Sequence, residues 1–150
     1  MARPVAYDAC QTEPTKMLKP ELYALADDGS VFLKGSRCLC GRIFFPVQHY
    51  GCEGCGRTDA APATLRGRGK LAASAVVHIH SRPGRKAPFA VCTVKLEDGP
   101  VVRALLAGSP DGLCPGTTMT AILTSVSLED GDERLDVRFA ADMGESMRCP

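Results

Sequence analysis

Two pairs of closely spaced cysteines are the residues of this sequence best suited to bind a metal ion. The pairs are Cys38-x-Cys40 and, after eleven intervening residues, Cys52-x-x-Cys55, and a glycine directly follows each pair. A structural zinc ion takes four ligands in a tetrahedron, and two tight turns side by side supply two thiolates each. The glycines let the chain turn past the metal, so that backbone N–H groups can point at the sulfur atoms. The spacing predicts a zinc ribbon whose metal is structural, because four thiolates leave no open position for water.

The first pair departs from the usual ribbon pattern, because one residue rather than two separates its cysteines. Two alternatives to the four-cysteine site therefore stay open. His49, three residues before Cys52, could replace Cys38 as a ligand if Cys38 does not reach the ion. The motif could also be a relic that binds no metal.

The other four cysteines are not expected to be ligands. Cys92 lies in phase with Ala90 and Val94, which is the pattern of a small residue on the core face of a strand. No nearby histidine or aspartate suggests a base that would activate it as a nucleophile. The remaining three lie in arms or turns and are expected to be free thiols: Cys10, Cys114 and Cys149.

Length, composition and charge exclude several classes of protein. The chain has 150 residues, is 45% hydrophobic and carries a formal net charge of +1. These values predict one main folded core with a small appendage and disfavour a disordered chain. No apolar run reaches the roughly 18 to 20 residues needed to cross a bilayer, and the start lacks the apolar stretch of a signal peptide. We therefore expect a cytoplasmic protein, in which thiols bind metal more often than they form disulfides.

The apolar pattern predicts a mainly β protein with one short helix. Pro20 fits the first position of a helix that Leu22 and Leu25 continue, and five strands with turns between them follow Leu71, which suits a small closed barrel. The ribbon should pass into the barrel between residues 58 and 69. Four parts are predicted: an N-terminal arm and helix (1–34), a ribbon (35–57), a barrel (66–140) and a C-terminal tail (141–150).

The order of these motifs is specific. They are, along the chain, Glu21-Leu22-Tyr23-Ala24-Leu25, Arg37-Cys38-Leu39-Cys40-Gly41, Phe45-Pro46, Cys52-Glu53-Gly54-Cys55-Gly56 and Gly67-Arg68-Gly69-Lys70-Leu71. With the strands that follow, they make the sequence resemble the DUF35 family over about residues 18–128. The resemblance implies a rubredoxin-like zinc ribbon joined to a C-terminal OB-fold.

The resemblance also implies a function. Members of the family are non-catalytic partners of thiolase-superfamily enzymes that act on acyl-CoA, and they stabilise the complex and help enclose the CoA substrate. The chain looks most like the small subunit of a two-component 3-oxoacyl-CoA thiolase of aromatic degradation, such as benzoylsuccinyl-CoA thiolase. Its own residues favour an accessory role, because thiolysis needs an activated cysteine, a second acid–base group and an oxyanion hole, which this chain does not obviously assemble.

Three apolar neighbours in the ribbon are candidates for contact with the catalytic subunit: Ile43, Phe44 and Phe45. A small ribbon has little core in which to bury them, so part of this loop should stay exposed until a partner covers it. The alternative, that Phe44 or Phe45 packs the ribbon on the barrel, carries equal weight.

A basic loop between the first two barrel strands is a candidate for contact with the phosphates of CoA. Its cations are Arg82, Arg85 and Lys86. A solvated hairpin tip is the alternative explanation. His78 and His80 alternate on the strand before this loop and are expected to face solvent or a partner, because two ligands are too few for a metal site.

Nucleic-acid binding is the rival function, because zinc ribbons and OB-folds both serve it widely. Binders of single strands combine a positive groove with aromatic side chains on which bases stack. Here aromatic residues make up 5% of the chain, tryptophan is absent, and the barrel strands contain Phe89 and Phe139 with little else. Composition and net charge both disfavour this alternative.

Overall fold

All regular elements of the structure, a computed structural model that describes residues 16–83 and 85–142, are β-strands. A mainly β fold is therefore confirmed. No helix in these ranges is long and apolar enough to cross a lipid bilayer. The nine strands are β1 (Tyr23–Leu25), β2 (Val31–Arg37), β3 (Ile43–Phe44), β4 (Ala61–Arg66), β5 (Arg68–Val77), β6 (Phe89–Leu96), β7 (Val101–Leu105), β8 (Thr118–Ser127) and β9 (Glu133–Ala141).

The N-terminal sheet is built around β2. This strand pairs antiparallel with β1 near its start, with β3 at its end and with β4 along most of its length. Because successive side chains of a strand point to opposite faces, Val31 and Leu33 are buried while Phe32 and Lys34 are partly exposed. β2 leads into the first cysteine turn and β4 leads from the ribbon into the barrel, so the paired strands β2 and β4 connect the two.

The predicted N-terminal helix is wrong. Residues 20–22 form a turn, and Tyr23 pairs with Leu33 at the start of β1. The segment offers fewer than two helical turns of sequence, and so short a helix is unstable in water without tertiary contacts. The hairpin is favoured instead by its turn, in which the Asp28 carboxylate accepts hydrogen bonds from the N–H and hydroxyl of Ser30 at 2.9 and 2.6 Å.

The second sheet has five strands in the order β7-β6-β5-β8-β9. It curls until its two edge strands meet, where Leu106 and Phe139 form a parallel bridge and the Ala107 N–H donates to the Phe139 carbonyl at 2.8 Å. The result is a half-barrel whose interior is filled by alternate residues of its strands, including Leu71, Cys92, Val94, Met119 and Phe139. The five strands match in number those predicted to follow Leu71, and the first of them already begins at Arg68.

The Gly-x-Gly motif lies where β4 continues into β5. A Cβ atom at Gly67 would stand 2.5 Å from the Val31 carbonyl oxygen and 2.6 Å from the Ala121 Cβ. A Cβ atom at Gly69 would collide with the Lys95 carbonyl oxygen and stand 2.8 Å from the Leu96 Cα. Both glycines are therefore required because neighbouring backbone approaches too closely for any side chain. The sequence pattern did not predict β4, which occupies residues 61–66 of the expected connection.

Candidate metal centre

The four cysteines predicted as ligands lie together. Their Sγ atoms all fall within 4.8 Å of one another, with Cys38 and Cys55 at 3.5 Å and Cys40 and Cys52 at 3.6 Å. None of them is in a disulfide. A tetrahedral zinc ion with Zn–S bonds of about 2.3 Å needs sulfur atoms about 3.8 Å apart, so the cluster fits that ion closely. His49 is not part of the cluster, and the shortened first pair does not keep Cys38 from it.

The two cysteine turns have matching backbone hydrogen bonds. In the first, the Cys38 N–H donates to the Arg42 carbonyl at 2.8 Å, and in the second the Cys52 N–H donates to the Arg57 carbonyl at 2.7 Å. The first bond spans one residue fewer, which is how the structure accommodates the Cys-x-Cys spacing. Each turn contains a glycine in the left-handed region that side chains rarely adopt: Gly41, with φ of 93°, and Gly56, with φ of 75°.

The two buried thiols of the cluster, Cys38 and Cys52, have pKa values that are shifted in opposite directions. Burial opposes ionisation of Cys52, but the N–H groups of Gly54 and Cys55 and the thiols of Cys40 and Cys38 lower its pKa to about 7. For Cys38 the N–H of Cys40 lowers the pKa, but burial and the neighbouring thiols outweigh it and raise the pKa to about 12. A divalent cation therefore has to displace protons from the thiols as it binds.

An arginine follows the glycine of each turn, in the repeated tripeptide Cys-Gly-Arg. The Arg42 side chain lies over the second turn, where a Cβ added at Gly54 would be 2.5 Å from its Nε. Arg57 pairs with Asp59 at 2.8 Å, and that carboxylate first, then the thiols of Cys55 and Cys38, raise the pKa of its guanidinium. Four thiolates on one zinc ion would carry about two negative charges, which Arg42 and the Asp59-paired Arg57 would partly compensate.

The cysteines outside the cluster have other roles. Cys92 is buried in the barrel core, donates a weak hydrogen bond to the Ala104 carbonyl at 3.6 Å, and has its pKa raised to about 11 by burial. Its predicted core position is confirmed. Cys114 is disulfide-bonded, so the expectation of a free thiol there is wrong. Cys10 and Cys149 lie outside the described residues.

The apolar loop between the cysteine pairs is only half-buried. Ile43 and Phe45 pack against the hydrophobic core that the N-terminal sheet and the barrel share, whereas Phe44 is partly exposed without belonging to that contact. The large apolar side chains that the ribbon exposes most are Leu39, at 73%, and Tyr50, at 83%. Sequence reasoning missed both, although Leu39 lies between two cysteines of the cluster, a position from which a side chain has little freedom to turn inward.

The predicted basic loop is exposed at all three of its cations, Arg82, Arg85 and Lys86. The Arg85 guanidinium stands over the Phe89 ring at 5.2 Å from its centroid. The His80 ring meets the same ring edge-on, also at 5.2 Å between centroids. These contacts give the base of the loop a defined form.

Arg85 also borders a cleft of about 250 Å³ between the N-terminal segment, the ribbon and the barrel. Three cations stand around it, namely Lys19, Arg85 and Arg103. The rest of its wall is mostly apolar: Leu22, Leu33, Phe45, Val91, Val102, Ala104, Leu105, Val137 and Phe139. The sequence did not reveal this cleft, because its residues come from at least six separate segments of the chain.

A four-thiol cluster joined to a five-stranded half-barrel defines a class of small β proteins, and comparison with known proteins identifies the class. No protein-family model matches the chain. It is 30% identical over 105 residues to a DUF35 domain-containing scaffold protein of Methanocaldococcus jannaschii, an alignment that covers 67% of this chain and 73% of that protein. The chain therefore belongs to the DUF35 family.

A solved structure extends the comparison to the fold. A chain of an Ltp2-ChsH2(DUF35) aldolase matches with a TM-score of 0.57 and 23% identity, and the match covers 73% of this chain and 84% of that one. At this level of identity the likeness concerns the fold alone. The predicted membership of the DUF35 family is thus confirmed by sequence, and the fold agrees with it.

Proposed function

We propose that this protein is a non-catalytic accessory subunit of a thiolase-superfamily enzyme that acts on acyl-CoA. The observation that carries the proposal is its relation to a DUF35 scaffold protein. The arrangement of thiols supports it, because among the described residues Cys92 is the free thiol outside the cluster, and it is buried with a raised pKa. A thiolytic nucleophile must instead be accessible and readily ionised. The catalytic residues would then belong to a partner chain, in a hetero-oligomer.

In this proposal the cluster binds zinc, and the ion has a structural role. Cys38, Cys40, Cys52 and Cys55 would hold it, and the bound ion would supply the rigidity that a ribbon without much core lacks. Phe45 links this ribbon to the barrel core, so the metal would also fix the surface that the partner meets. The domain limits proposed from the sequence, 35–57 for a rubredoxin-like ribbon and 66–140 for the barrel, divide the chain on either side of β4.

The half-barrel is proposed to be an OB-fold. Its strand order and the parallel contact between its third and fifth strands support this assignment.

The basic loop of the half-barrel would lie beside the phosphates of CoA, with Arg82 and Lys86 free to reach them and Arg85 at the boundary with the cleft. Ile43, Phe44 and Phe45 would contribute to the partner interface through the parts of their side chains that remain accessible. The specific enzyme proposed is a thiolase of aromatic degradation, such as benzoylsuccinyl-CoA thiolase.

Two barrel residues disfavour the alternative of nucleic-acid binding. Phe139 is 1% exposed, so no base can stack on it. Phe89 is half-buried and already contacted by Arg85 and His80. A gel shift with single-stranded DNA or RNA at physiological salt tests this alternative, and binding there would favour it over the accessory role.

The decisive experiment is co-purification with a thiolase-like chain that is encoded next to this protein. An activity assay in which each subunit is omitted in turn follows. We expect turnover of acyl-CoA by the complex, little by the catalytic chain and none by this chain. Turnover by this chain alone would overturn the proposal.

The CoA contact is tested in the complex by the double variant Arg82→Ala with Lys86→Ala, which should raise the KM for acyl-CoA. Lys95→Ala is the matched control. An unchanged KM would remove the phosphate role.

A further inference from the structure

The cleft between the ribbon and the barrel has the composition of a binding site rather than of a packing gap. Leu33 and Phe139 at its floor are buried, and Phe45 of the ribbon forms part of its wall. Its rim carries Lys19 from the N-terminal segment, Arg85 from the basic loop and Arg103 from β7. An occupant would therefore contact three parts of the fold at once.

The charges at the rim are not balanced. Among the described residues none of Lys19, Arg85 and Arg103 forms an ion pair. The carboxylate that lines the cleft is that of Asp136, and its Oδ1 already accepts hydrogen bonds from the Tyr23 hydroxyl at 3.1 Å and the Val137 N–H at 3.0 Å. Three cations face one carboxylate that is already engaged, so the cleft is complementary to a group that is both anionic and apolar.

The volume of the cleft limits the size of its occupant. A cavity of about 150 Å³ holds one benzene molecule, so 250 Å³ has room for one large side chain and a neighbouring carboxylate. Pockets for whole small molecules are usually larger, at about 300 to 1,000 Å³. A cofactor of the size of CoA would leave most of itself outside, whereas side chains of an extended segment would fit.

We propose that this cleft receives a segment of the catalytic partner chain in which a large apolar side chain adjoins a carboxylate. The apolar side chain rests on Leu22, Phe45 and Val137, which are partly exposed apolar residues of the lining, and the carboxylate pairs with Lys19 and Arg103. The inference rests on the proposed function, since it assumes a catalytic partner. It explains how one contact of that partner holds the ribbon and the barrel together.

The test uses the complex with the thiolase-like chain. Lys19→Glu together with Arg103→Glu should weaken the complex at least tenfold in Kd, and the milder pair Lys19→Gln and Arg103→Gln should weaken it less. Lys95→Glu, an exposed cation of β6 outside the cleft, is the matched control and should leave Kd within twofold. Both cations are exposed, so thermal unfolding of the free variants should match that of the wild type.

A photo-crosslinking residue in place of Ala104, which lines the cleft, identifies the occupant by mass spectrometry. We expect a partner peptide with Asp, Glu or a C-terminal carboxylate next to a large apolar residue, and reversal of that charge should restore binding to the Glu variant. A peptide without such a carboxylate, an unchanged Kd in the double variants, or displacement of the partner segment by free CoA would each overturn the inference. Failure of the wild-type chains to associate would overturn the proposed function as well, so the two failures are distinguishable.

Discussion

Tyr23 joins the N-terminal sheet to the barrel, and its hydroxyl is the group whose removal should be most informative. The side chain is 0% exposed, and its hydroxyl lies 2.8 Å from the Leu135 carbonyl and 3.1 Å from the Asp136 carboxylate. It also accepts a hydrogen bond from the Lys19 N–H at 3.3 Å. Tyr23→Phe keeps the ring and deletes these bonds, so it isolates the polar contribution.

The expected cost is about 2 kcal/mol in the free energy of unfolding. A hydrogen bond to a charged group contributes about 1.5 to 3 kcal/mol, and a buried group left without a partner costs about 1 to 3 kcal/mol. Both acceptors keep one other donor, from the Leu18 N–H and the Val137 N–H, so the cost should stay near the middle of these ranges. For a chain of this length, 2 kcal/mol corresponds to a fall in Tm of about 4 to 8 °C.

The effect should depend on pH with a definite sign. Burial, and then the carboxylate of Asp136, raise the pKa of Tyr23 from its ordinary 10.0 to about 12. Because the folded pKa lies above the unfolded one, the stabilisation is fully present below pH 10 and is lost as the pH rises from about 10 to about 12. The difference between wild type and Tyr23→Phe should therefore shrink over that interval.

Urea unfolding of the metal-loaded chain from pH 8 to pH 11.5 measures both effects. Tyr50→Phe is the matched control, because Tyr50 is 83% exposed, and it should change stability by less than about 0.5 kcal/mol. If Tyr23→Phe is as mild as the control at pH 8, or if its effect does not vary with pH, the assignment of these hydrogen bonds is wrong.

Three further outcomes concern the metal turns and the barrel. Cys52→Ser should abolish stable zinc binding, measured as zinc per chain after dialysis, whereas His49→Ala should retain it; equal zinc in wild type and Cys52→Ser would refute the four-thiol site. Arg42→Gln with Arg57→Gln should weaken zinc affinity by about tenfold in a competition titration, with Arg134→Gln as control; unchanged affinity would exclude the charge compensation. Gly69→Ala should destabilise the barrel by about 1 to 3 kcal/mol in urea, whereas the exposed Ala72→Ser should not; equal stabilities would contradict the close approach of Lys95 to Gly69.

The four-cysteine cluster could be predicted from the sequence because its members lie close together along the chain. Cys38 and Cys55 are only 17 residues apart, and the chemistry of one ion restricts how their turns can meet. The barrel strands were predictable for a related reason, since alternation and turn residues such as Glu97-Asp98-Gly99-Pro100 mark each strand and its end.

The segments that were mispredicted owe their structure to distant parts of the chain. The apolar spacing of Leu22 and Leu25 suits a helix, and the pairing of Tyr23–Leu25 with β2 overrides that local preference. The stretch Ala61-Pro62-Ala63 has little intrinsic tendency to form a strand, yet it pairs with residues 35–37. The cleft likewise forms only when the fold brings Lys19, Arg85 and Arg103 to one rim. These residues are far apart in the sequence, so no local sequence pattern predicts the cleft.

The position of Phe45 makes packing of the hydrophobic core depend on metal binding by the ribbon. This residue belongs to the loop between the two cysteine pairs, and it packs against the hydrophobic core that the N-terminal sheet and the barrel share. A chelator that removes the ion would release one wall of the hydrophobic interior along with the ribbon. In the proposed accessory role, zinc supply would then govern how much of this protein is competent to assemble, and therefore how much active enzyme a fixed amount of catalytic chain can form.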